Sequence, residues 1–336
     1  MKRVEVGDIS MAVADAGSGP PLLFLHGFPL DGSMWTVQRE AFSDRFRVIV
    51  PDLRGFGASD ATNGVATMEQ LADDVARLLD ALGIATPVVL AGLSMGGYVA
   101  WQFWRRHRAR LRALLLCNTR ALPDAAEIAR GRLQTAETVL SHGPQVMAEP
   151  MLRRLFAPET WQKMPERVDA LRRVIHHASP RGVAAALRGM AERPDVTTWL
   201  PEIDVPTLLV GGEHDGISPP AEMRDIAARM PRAEYREVPA AGHMAPYERP
   251  EAFNSLVADW LAGLPPVAGA PVTVAAPNPS QPGSTSNWID VNPDRREPGS
   301  PLTRIEVDHE TTSRAGPIRS VDRFHHQSID AWTQRP

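Results

Sequence analysis

The chain has 336 residues, a formal net charge of −4 and a hydrophobic content of 43%. These values are typical of a globular protein with a sizeable core, and they argue against a basic surface for nucleic acid or an acidic membrane. No stretch of the sequence approaches the roughly 18 consecutive apolar residues that a membrane span needs.

The cysteine content and the first residues bear on the compartment. Cys117 is the single cysteine, so no internal disulfide can form, which fits a reducing compartment. The basic Lys2 and Arg3 are followed by a segment that contains Glu5 and Asp8, where a signal peptide would have an apolar stretch. The sequence therefore predicts a cytoplasmic protein.

The first part of the chain alternates between strand-like and helix-like segments. Apolar runs at 21–25, 46–50, 87–93 and 112–117 are continuous, which predicts strands covered on both faces. The clearest helix is predicted over 67–82, where Thr67 and Gln70 form a capping box and Gly83 follows the C-terminus. This alternation favours a mostly parallel sheet.

The middle of the chain breaks this alternation. Residues 120–200 contain several helical patterns and no strand-like run, and the α/β pattern resumes over 201–264. Strands are predicted at 206–210 and 235–238, and helices at 219–230 and 250–261. The sequence therefore predicts a core in two parts, 1–119 and 201–264, with the segment 120–200 inserted as a helical cap.

The last part of the chain has a different composition. Residues 265–336 are rich in Pro, Ser, Thr, Asn and Arg and have few large aliphatic residues. This composition predicts a disordered tail. A small partner-binding segment around 321–332 is the alternative interpretation.

One turn carries a candidate nucleophile. Gly92-Leu93-Ser94-Met95-Gly96 follows a predicted strand and precedes a predicted helix. A serine on so tight a turn adopts a strained backbone, and its neighbours must be small, which explains Gly92 and Gly96. Its hydroxyl would lie at a helix N-terminus, where the N–H of Met95 and the helix dipole can stabilise an oxyanion.

A serine needs a general base to become a good nucleophile. His243 lies in a loop after the last predicted strand, so we expect it at the carboxyl edge of the sheet with Ser94. His176 and His177 fall in the cap, and His107 ends a helix among arginines, so all three are more typical of surface histidines. His243 is therefore the predicted base.

The base in turn needs a carboxylate that orients and stabilises it. Asp215 follows the predicted strand 206–210, and Glu213 and Asp204 are its rivals. The chain order of serine, acid and histidine favours Asp215 or Glu213 over Asp204. Asp215 is preferred because it lies further into the loop.

A loop after an early strand is expected to supply the second half of an oxyanion hole. The segment His26-Gly27-Phe28-Pro29 follows the predicted strand 21–25. Gly27 permits close approach, and the N–H of Phe28 can point at the substrate oxygen together with that of Met95. The candidate site thus combines two main-chain donors with three side chains.

These stretches together resemble the α/β-hydrolase superfamily over residues 4–264. Residues 51–60, with the sequence PDLRGFGASD, are similar to a further signature of that superfamily, which supports the oxyanion loop. The resemblance implies an α/β-hydrolase fold: a mostly parallel eight-stranded sheet, helices on both faces and an inserted helical cap. Finer details, such as the sequence 118–120 and Glu248-Arg249-Pro250, are similar to 3-oxoadipate enol-lactonase-like and carboxylesterase-like members.

The resemblance and the residues together predict a serine hydrolase that acts on a small ester or lactone through an acyl-enzyme. Ser94 at the elbow, where related epoxide hydrolases and dehalogenases have aspartate, favours acyl transfer over alkyl transfer. Arg120 and Trp161 are candidate substrate contacts, although surface and packing roles suit them equally. No cofactor, metal, nucleic-acid or membrane partner is expected.

Three alternatives remain open at the level of sequence. A C–C bond hydrolase and a perhydrolase would use the same three side chains, and a non-catalytic ligand receptor could retain them on the same fold.

Overall fold

The computed structural model describes residues 1–265. The predicted disordered tail, 265–336, and the alternative segment at 321–332 therefore lie outside the described residues, apart from Pro265. Within residues 1–265, no helix is both long and apolar enough to cross a membrane.

Eight strands within the described residues form one sheet, in the spatial order β1-β2-β4-β3-β5-β6-β7-β8. The pairs β1–β2 and β2–β4 are antiparallel, and the other neighbours are parallel. The strands are β1 (Lys2–Val6), β2 (Ile9–Ala16), β3 (Pro21–Leu25), β4 (Arg47–Pro51), β5 (Val88–Leu93), β6 (Leu111–Cys117), β7 (Thr207–Gly212) and β8 (Ala233–Val238). The expected eight-stranded, mostly parallel sheet is confirmed.

Eleven α-helices accompany the sheet in residues 1–265. They are α1 (Thr36–Phe42), α2 (Met68–Ala81), α3 (Met95–His107), α4 (Ala126–His142), α5 (Ala148–Leu155), α6 (Pro158–Lys163), α7 (Pro165–His177), α8 (Pro180–Ala191), α9 (Pro220–Ala228), α10 (Ala245–Glu248) and α11 (Pro250–Ala262).

The central strands have the burial that their sequences predict. Every residue of β3, β5 and β7 is buried, whereas the edge strand β8 is mostly half-buried. A continuous apolar run suits a strand with helices on both of its faces, because no side chain of such a strand points to water. The centre of the sheet is thus a rigid platform for the loops at its carboxyl edge.

Helix α2 shows how local sequence fixes one element. Thr67 accepts a hydrogen bond from the N–H of Gln70 at 3.1 Å, as the capping box predicts. Leu71 and Leu78 are fully buried on the inner face, and each such side chain contributes about 1.5–3 kcal/mol relative to exposure. Gly83 follows the helix with a φ of 67°, a left-handed conformation that glycine adopts without strain.

The segment between β6 and β7 is helical. It contains α4 to α8 and, within the described chain, no strand. Pro158, Pro165 and Pro180 begin α6, α7 and α8, because proline lacks the N–H that the first helical turn leaves unpaired anyway. These prolines divide the predicted cap into short helices.

Candidate active site

Ser94 occupies the turn between β5 and α3 in a strained conformation. Its φ is 53° and its ψ is −111°, which for a residue with a side chain costs on the order of 1–3 kcal/mol. A Cβ at Gly92 would lie 2.3 Å from the carbonyl oxygen of Gly96, so the turn closes only with glycine there. The N–H of Ser94 donates to the carbonyl of Cys117 at 2.9 Å, which ties the turn to the end of β6.

The strained residue Ser94 is also partly exposed. Ser94 is the only residue between Val88 and Trp104 that is not buried. Met95 begins α3, so its N–H has no acceptor within the helix and lies at the positive end of the helix dipole. The turn therefore presents a hydroxyl group beside an unused donor.

The loop after β3 lies directly against this turn. A Cβ at Gly27 would lie 3.5 Å from the Cβ of Ser94 and 2.7 Å from Cδ2 of Leu93. A Cβ at Gly96 would in turn lie 2.4 Å from the carbonyl oxygen of Leu25. Glycine is required at position 96, where the neighbour is backbone, and the contact at Gly27 shows that the loop which contains Phe28 packs against the elbow.

His26 connects that loop to the segment 51–60. Its Nε2 accepts the N–H of Leu53 at 2.9 Å, and its Nδ1 lies 3.0 Å from the carbonyl oxygen of Gly27. Burial lowers the pKa of His26, and the neutral ring with a proton on Nδ1 satisfies both contacts. The contact fits the expectation that 51–60 supports the oxyanion loop.

His243 and Asp215 form a buried pair at the same edge of the sheet. Nδ1 of His243 lies 2.8 Å from Oδ2 of Asp215, and the two residues are 2% and 4% exposed. Burial by itself would raise the pKa of Asp215, but the charge of His243 and the hydrogen bonds hold it below its usual value. The second carboxylate oxygen accepts the N–H groups of Ile217 and Ser218 at 2.7 and 3.0 Å. An ionised Asp215 thus fixes the imidazole with Nε2 left to exchange a proton.

The rival carboxylates make other contacts. Glu213 accepts the N–H of Ala240 at 2.8 Å, and Asp204 is exposed. Of the three candidate acids, Asp215 is the one that contacts His243. Among the other histidines, His107 pairs with Asp73 at 2.8 Å.

Asn118 is a residue whose place in the site the sequence did not indicate. It follows β6, is fully buried and has a φ of 46°. Its Nδ2 donates to Oδ2 of Asp215 at 2.8 Å and lies 3.4 Å from the carbonyl oxygen of Gly242. A polar residue at the end of an apolar strand was the available signal, since such positions lie at the carboxyl edge of the sheet.

Backbone strain is concentrated at this edge. In residues 1–265, the non-glycine residues with a left-handed backbone are Ser94, Asn118 and Ala240. They follow β5, β6 and β8 respectively. Strain that clusters around one set of buried polar groups is typical of a functional site.

The two predicted cap contacts have protein partners. Nε of Arg120 lies 2.9 and 3.0 Å from the two carboxylate oxygens of Glu222. The ring of Trp161 on α6 lies under the guanidinium of Arg153, 5.5 Å from ring centre to Cζ. Contact of either side chain with a substrate stays a prediction.

The described part of the chain contains no group of three or more His, Cys, Asp or Glu side chains that could hold a metal ion. Cys117 is buried, and burial raises its thiol pKa well above the ordinary value. Such a thiol is a poor nucleophile at neutral pH.

Known proteins share this fold. A family model described as the alpha/beta hydrolase fold matches residues 20–250. The solved structure of a thermophilic esterase from Thermogutta terrifontis, with malate bound, is 47% identical, spans 78% of this chain and 98% of its own, and has a TM-score of 0.77. The enol-lactonase of Burkholderia xenovorans LB400 is 32% identical, with 78% and 100% of the two chains covered and a TM-score of 0.73.

A curated relative extends the comparison to sequence. The 3-oxoadipate enol-lactonase 2 of Acinetobacter baylyi is 30% identical over 252 residues, which are 74% of this chain and 92% of that protein. The predicted resemblance is confirmed at the level of the superfamily. This chain belongs to the alpha/beta hydrolase fold family.

Proposed function

We propose that this protein is a serine hydrolase that cleaves a small carboxylic ester or lactone through an acyl-enzyme. The observation that carries the proposal is the buried contact between His243 and Asp215, 2.8 Å long, at the sheet edge where the strained Ser94 follows β5. A buried imidazole with one nitrogen bound to a carboxylate is suited to accept a proton from a serine hydroxyl.

In the acylation step, Oγ of Ser94 attacks the carbonyl carbon while Nε2 of His243 takes the hydroxyl proton. The electron pair of the carbonyl moves to its oxygen, and the N–H groups of Phe28 and Met95 stabilise that oxyanion. The C–O bond to the leaving group then breaks, and His243 returns the proton to the leaving oxygen. Asp215 stays ionised and stabilises the imidazolium during both transfers.

In the deacylation step, water attacks the acyl carbon and His243 takes one of its protons. The bond from the carbon to Oγ of Ser94 breaks, and the same proton returns to the serine. The carboxylic acid leaves, and the enzyme regains its starting state. A lactone substrate opens in the first step and keeps its leaving oxygen as a hydroxyl group on the acyl chain.

Two facts support an ester or lactone as the substrate class. Serine at the elbow forms an ester intermediate, whose hydrolysis is acyl transfer. The esterase and enol-lactonases among its relatives have names that specify such substrates. Arg120 already pairs with Glu222, and we therefore expect no strong preference for anionic over neutral esters.

A fluorophosphonate probe and an ester panel test the proposal. We expect the probe to label wild-type protein covalently and to leave Ser94→Ala unlabelled. Ser141→Ala, on the exposed face of α4, is the matched control and should be labelled like wild type. Turnover of p-nitrophenyl acetate should fall by a factor on the order of 10⁴ or more in Ser94→Ala.

The same panel separates the alternatives. It includes p-nitrophenyl esters of increasing acyl length, enol-lactones, vinylogous diketones, and hydrogen peroxide as a competing acyl acceptor. Ester turnover that survives in Ser94→Ala would contradict the proposal. Absence of both labelling and turnover in the wild type would favour a ligand receptor.

A further inference from the structure

Glu248 ends helix α10, and its carboxylate is buried, with 1% of the residue exposed. Its Oε1 accepts the N–H of Gly242 at 2.8 Å. Its Oε2 accepts the N–H of Ala157 at 2.8 Å and the hydroxyl of Thr160 at 2.5 Å. One carboxylate thus receives three donors from two segments that are far apart along the chain.

The two segments are the loop of the proposed base and the start of α6. Gly242 immediately precedes His243. On the other side of the histidine, the N–H of Met244 donates to the carbonyl of Leu155 at 3.1 Å. The backbone on both sides of His243 is therefore bound, through Glu248 or directly, to residues 155–160.

The two backbones also touch. A Cβ at Gly242 would lie 2.6 Å from the backbone nitrogen of Ala157 and 2.9 Å from the carbonyl carbon of Phe156. A side chain at position 242 would therefore collide with the backbone of residues 156–157. The hydrogen bonds of Glu248 and the main-chain contact join the same two segments.

The charge on Glu248 follows from its acceptors. Burial raises the pKa of this carboxyl, and the three hydrogen bonds and the charge of Arg249 oppose that rise. The guanidinium of Arg249 itself pairs with Glu159 at 3.0 Å. A carboxylate accepts at both oxygens, whereas the amide of a glutamine accepts at one and donates at the other. Three inward-pointing donors therefore favour the ionised acid and oppose the rise in pKa that burial causes.

We infer that Glu248 is a positioning residue, whose carboxylate holds residues 155–160 of the cap and the His243 loop in one arrangement. This inference rests on the proposed function and adds that the position of the cap segment is coupled to the position of His243. When the cap segment moves, His243 moves with it, so the cap affects proton transfer as well as substrate binding. A contact that only shaped the pocket would change KM; this one also changes kcat.

Kinetics of Thr160 variants test the coupling. Thr160 lies on the cap side of Glu248, so its substitution leaves the hydrogen bond between Glu248 and Gly242 in place. Thr160→Val removes one donor at nearly constant volume, and we expect kcat for p-nitrophenyl acetate to fall by about fivefold to tenfold, more than KM rises. Thr160→Ser keeps the hydroxyl and should recover most of that loss. Thr135→Val, whose hydroxyl bonds within α4 at 2.8 Å, is the matched control.

Glu248→Gln gives the larger effect. Its amide leaves at least one of the three donors unpaired, and the resulting displacement of His243 should lower kcat by about 10²-fold. Amide hydrogen exchange gives a readout that does not depend on activity. In Thr160→Val, exchange at residues 242–248 should become faster, whereas it should stay unchanged in Thr135→Val.

The outcomes distinguish this inference from the proposed function. If wild-type protein hydrolyses the ester and Thr160→Val matches Thr135→Val in kcat and in exchange, Glu248 does not couple the cap to His243. A change in KM alone would have the same meaning. If wild-type protein is neither labelled at Ser94 nor active, the proposed function fails first and the coupling has no catalytic consequence.

Discussion

The amide of Asn118 and the imidazole of His243 donate to the same carboxylate oxygen of Asp215, each at 2.8 Å. The other oxygen is occupied by the N–H groups of Ile217 and Ser218. Four donors hold the carboxylate in one orientation and keep it ionised in a buried place. We therefore expect Asn118 to help position the proposed base.

Replacing Asn118 by alanine tests that role. The carboxylate loses a donor and gains freedom to rotate, so the imidazole is less well oriented for the serine proton. We expect kcat to fall by about tenfold with little change in KM, as for a loss of transition-state stabilisation. Steady-state kinetics on p-nitrophenyl acetate measure both parameters.

Asn254→Ala is the control for this change. Asn254 is a partly buried asparagine that accepts from Gln38 at 3.0 Å, and its loss should leave kcat near the wild-type value. A similar kcat for both variants, with Tm values that match, would show that Asn118 is dispensable for orienting Asp215.

The elements of the candidate site that are local in sequence follow from the sequence alone. Consecutive strand, tight turn and helix indicate Ser94 as the candidate nucleophile, and the position after the last strand indicates His243 as the candidate base. The buried strands β3 and β5 matched their apolar runs to within one residue at each end. In each case the residues of one short segment are enough to predict the local structure.

The rest depends on contacts between distant segments. Asn118 and Asp215 are 97 residues apart, and nothing near Asn118 shows which side chain it meets. Glu248 looks like a surface acid, because acidic residues are almost never fully buried without partners. Its partners on α6 come from the cap, whose packing on the His243 loop no local pattern indicates.

The hairpin of β1 and β2 was also missed. Residues 2–6 are mixed in polarity and form an exposed edge strand, and in residues 9–16 the polar Ser10 and Asp15 interrupt the apolar residues. The turn of the hairpin contains Gly7 with a φ of 64°. This glycine indicates a hairpin turn only once Val6 is known to pair with Ile9. The edge strand β1 lacks the continuous apolar run that identifies the central strands.

The choice between Asp215 and Glu213 leads to a second prediction. Asp215→Asn keeps the shape of the side chain but removes the charge that stabilises the imidazolium and fixes its tautomer. We expect kcat to fall by about 10³–10⁴-fold. Glu213→Gln is the matched control two positions earlier, and its kcat should stay near wild type. Equal losses in the two variants would contradict the assignment of Asp215.

Asp15 leads to a prediction about stability and pH. Its hydrogen bonds from Arg47 and Lys2 lower the pKa to about 2. Because the folded-state pKa lies below the unfolded value, the carboxylate stabilises the fold above about pH 4, and this contribution is lost as pH falls towards 2. Since Arg47 and Lys2 are partly exposed, we expect Asp15→Asn to cost about 1–2 kcal/mol at pH 7.

Urea unfolding of wild type and Asp15→Asn at several pH values between 7 and about 2 measures this effect. The difference in unfolding free energy should shrink steadily below about pH 4. Asp44→Asn is the control, because Asp44 is exposed and its distance from Arg45 is 3.7 Å. A difference that stays constant with pH would show that the ion pairs of Asp15 do not stabilise the fold.

The buried ion pair of Arg54 and Asp74 leads to the last prediction. The side chains are 1% and 0% exposed, with Nε 2.7 Å from Oδ2. Arg54→Met leaves the carboxylate buried without its main cation, which should cost about 3–5 kcal/mol, whereas Arg54→Met/Asp74→Leu should recover most of that loss. Arg77→Met is the control, because Arg77 is half-exposed and lies 3.4 Å from the same carboxylate, and its loss should cost under about 1 kcal/mol. Urea unfolding of the wild type and these three variants measures the differences in stability, and a double variant as unstable as Arg54→Met would show that the cost comes from lost packing rather than from the unpaired charge.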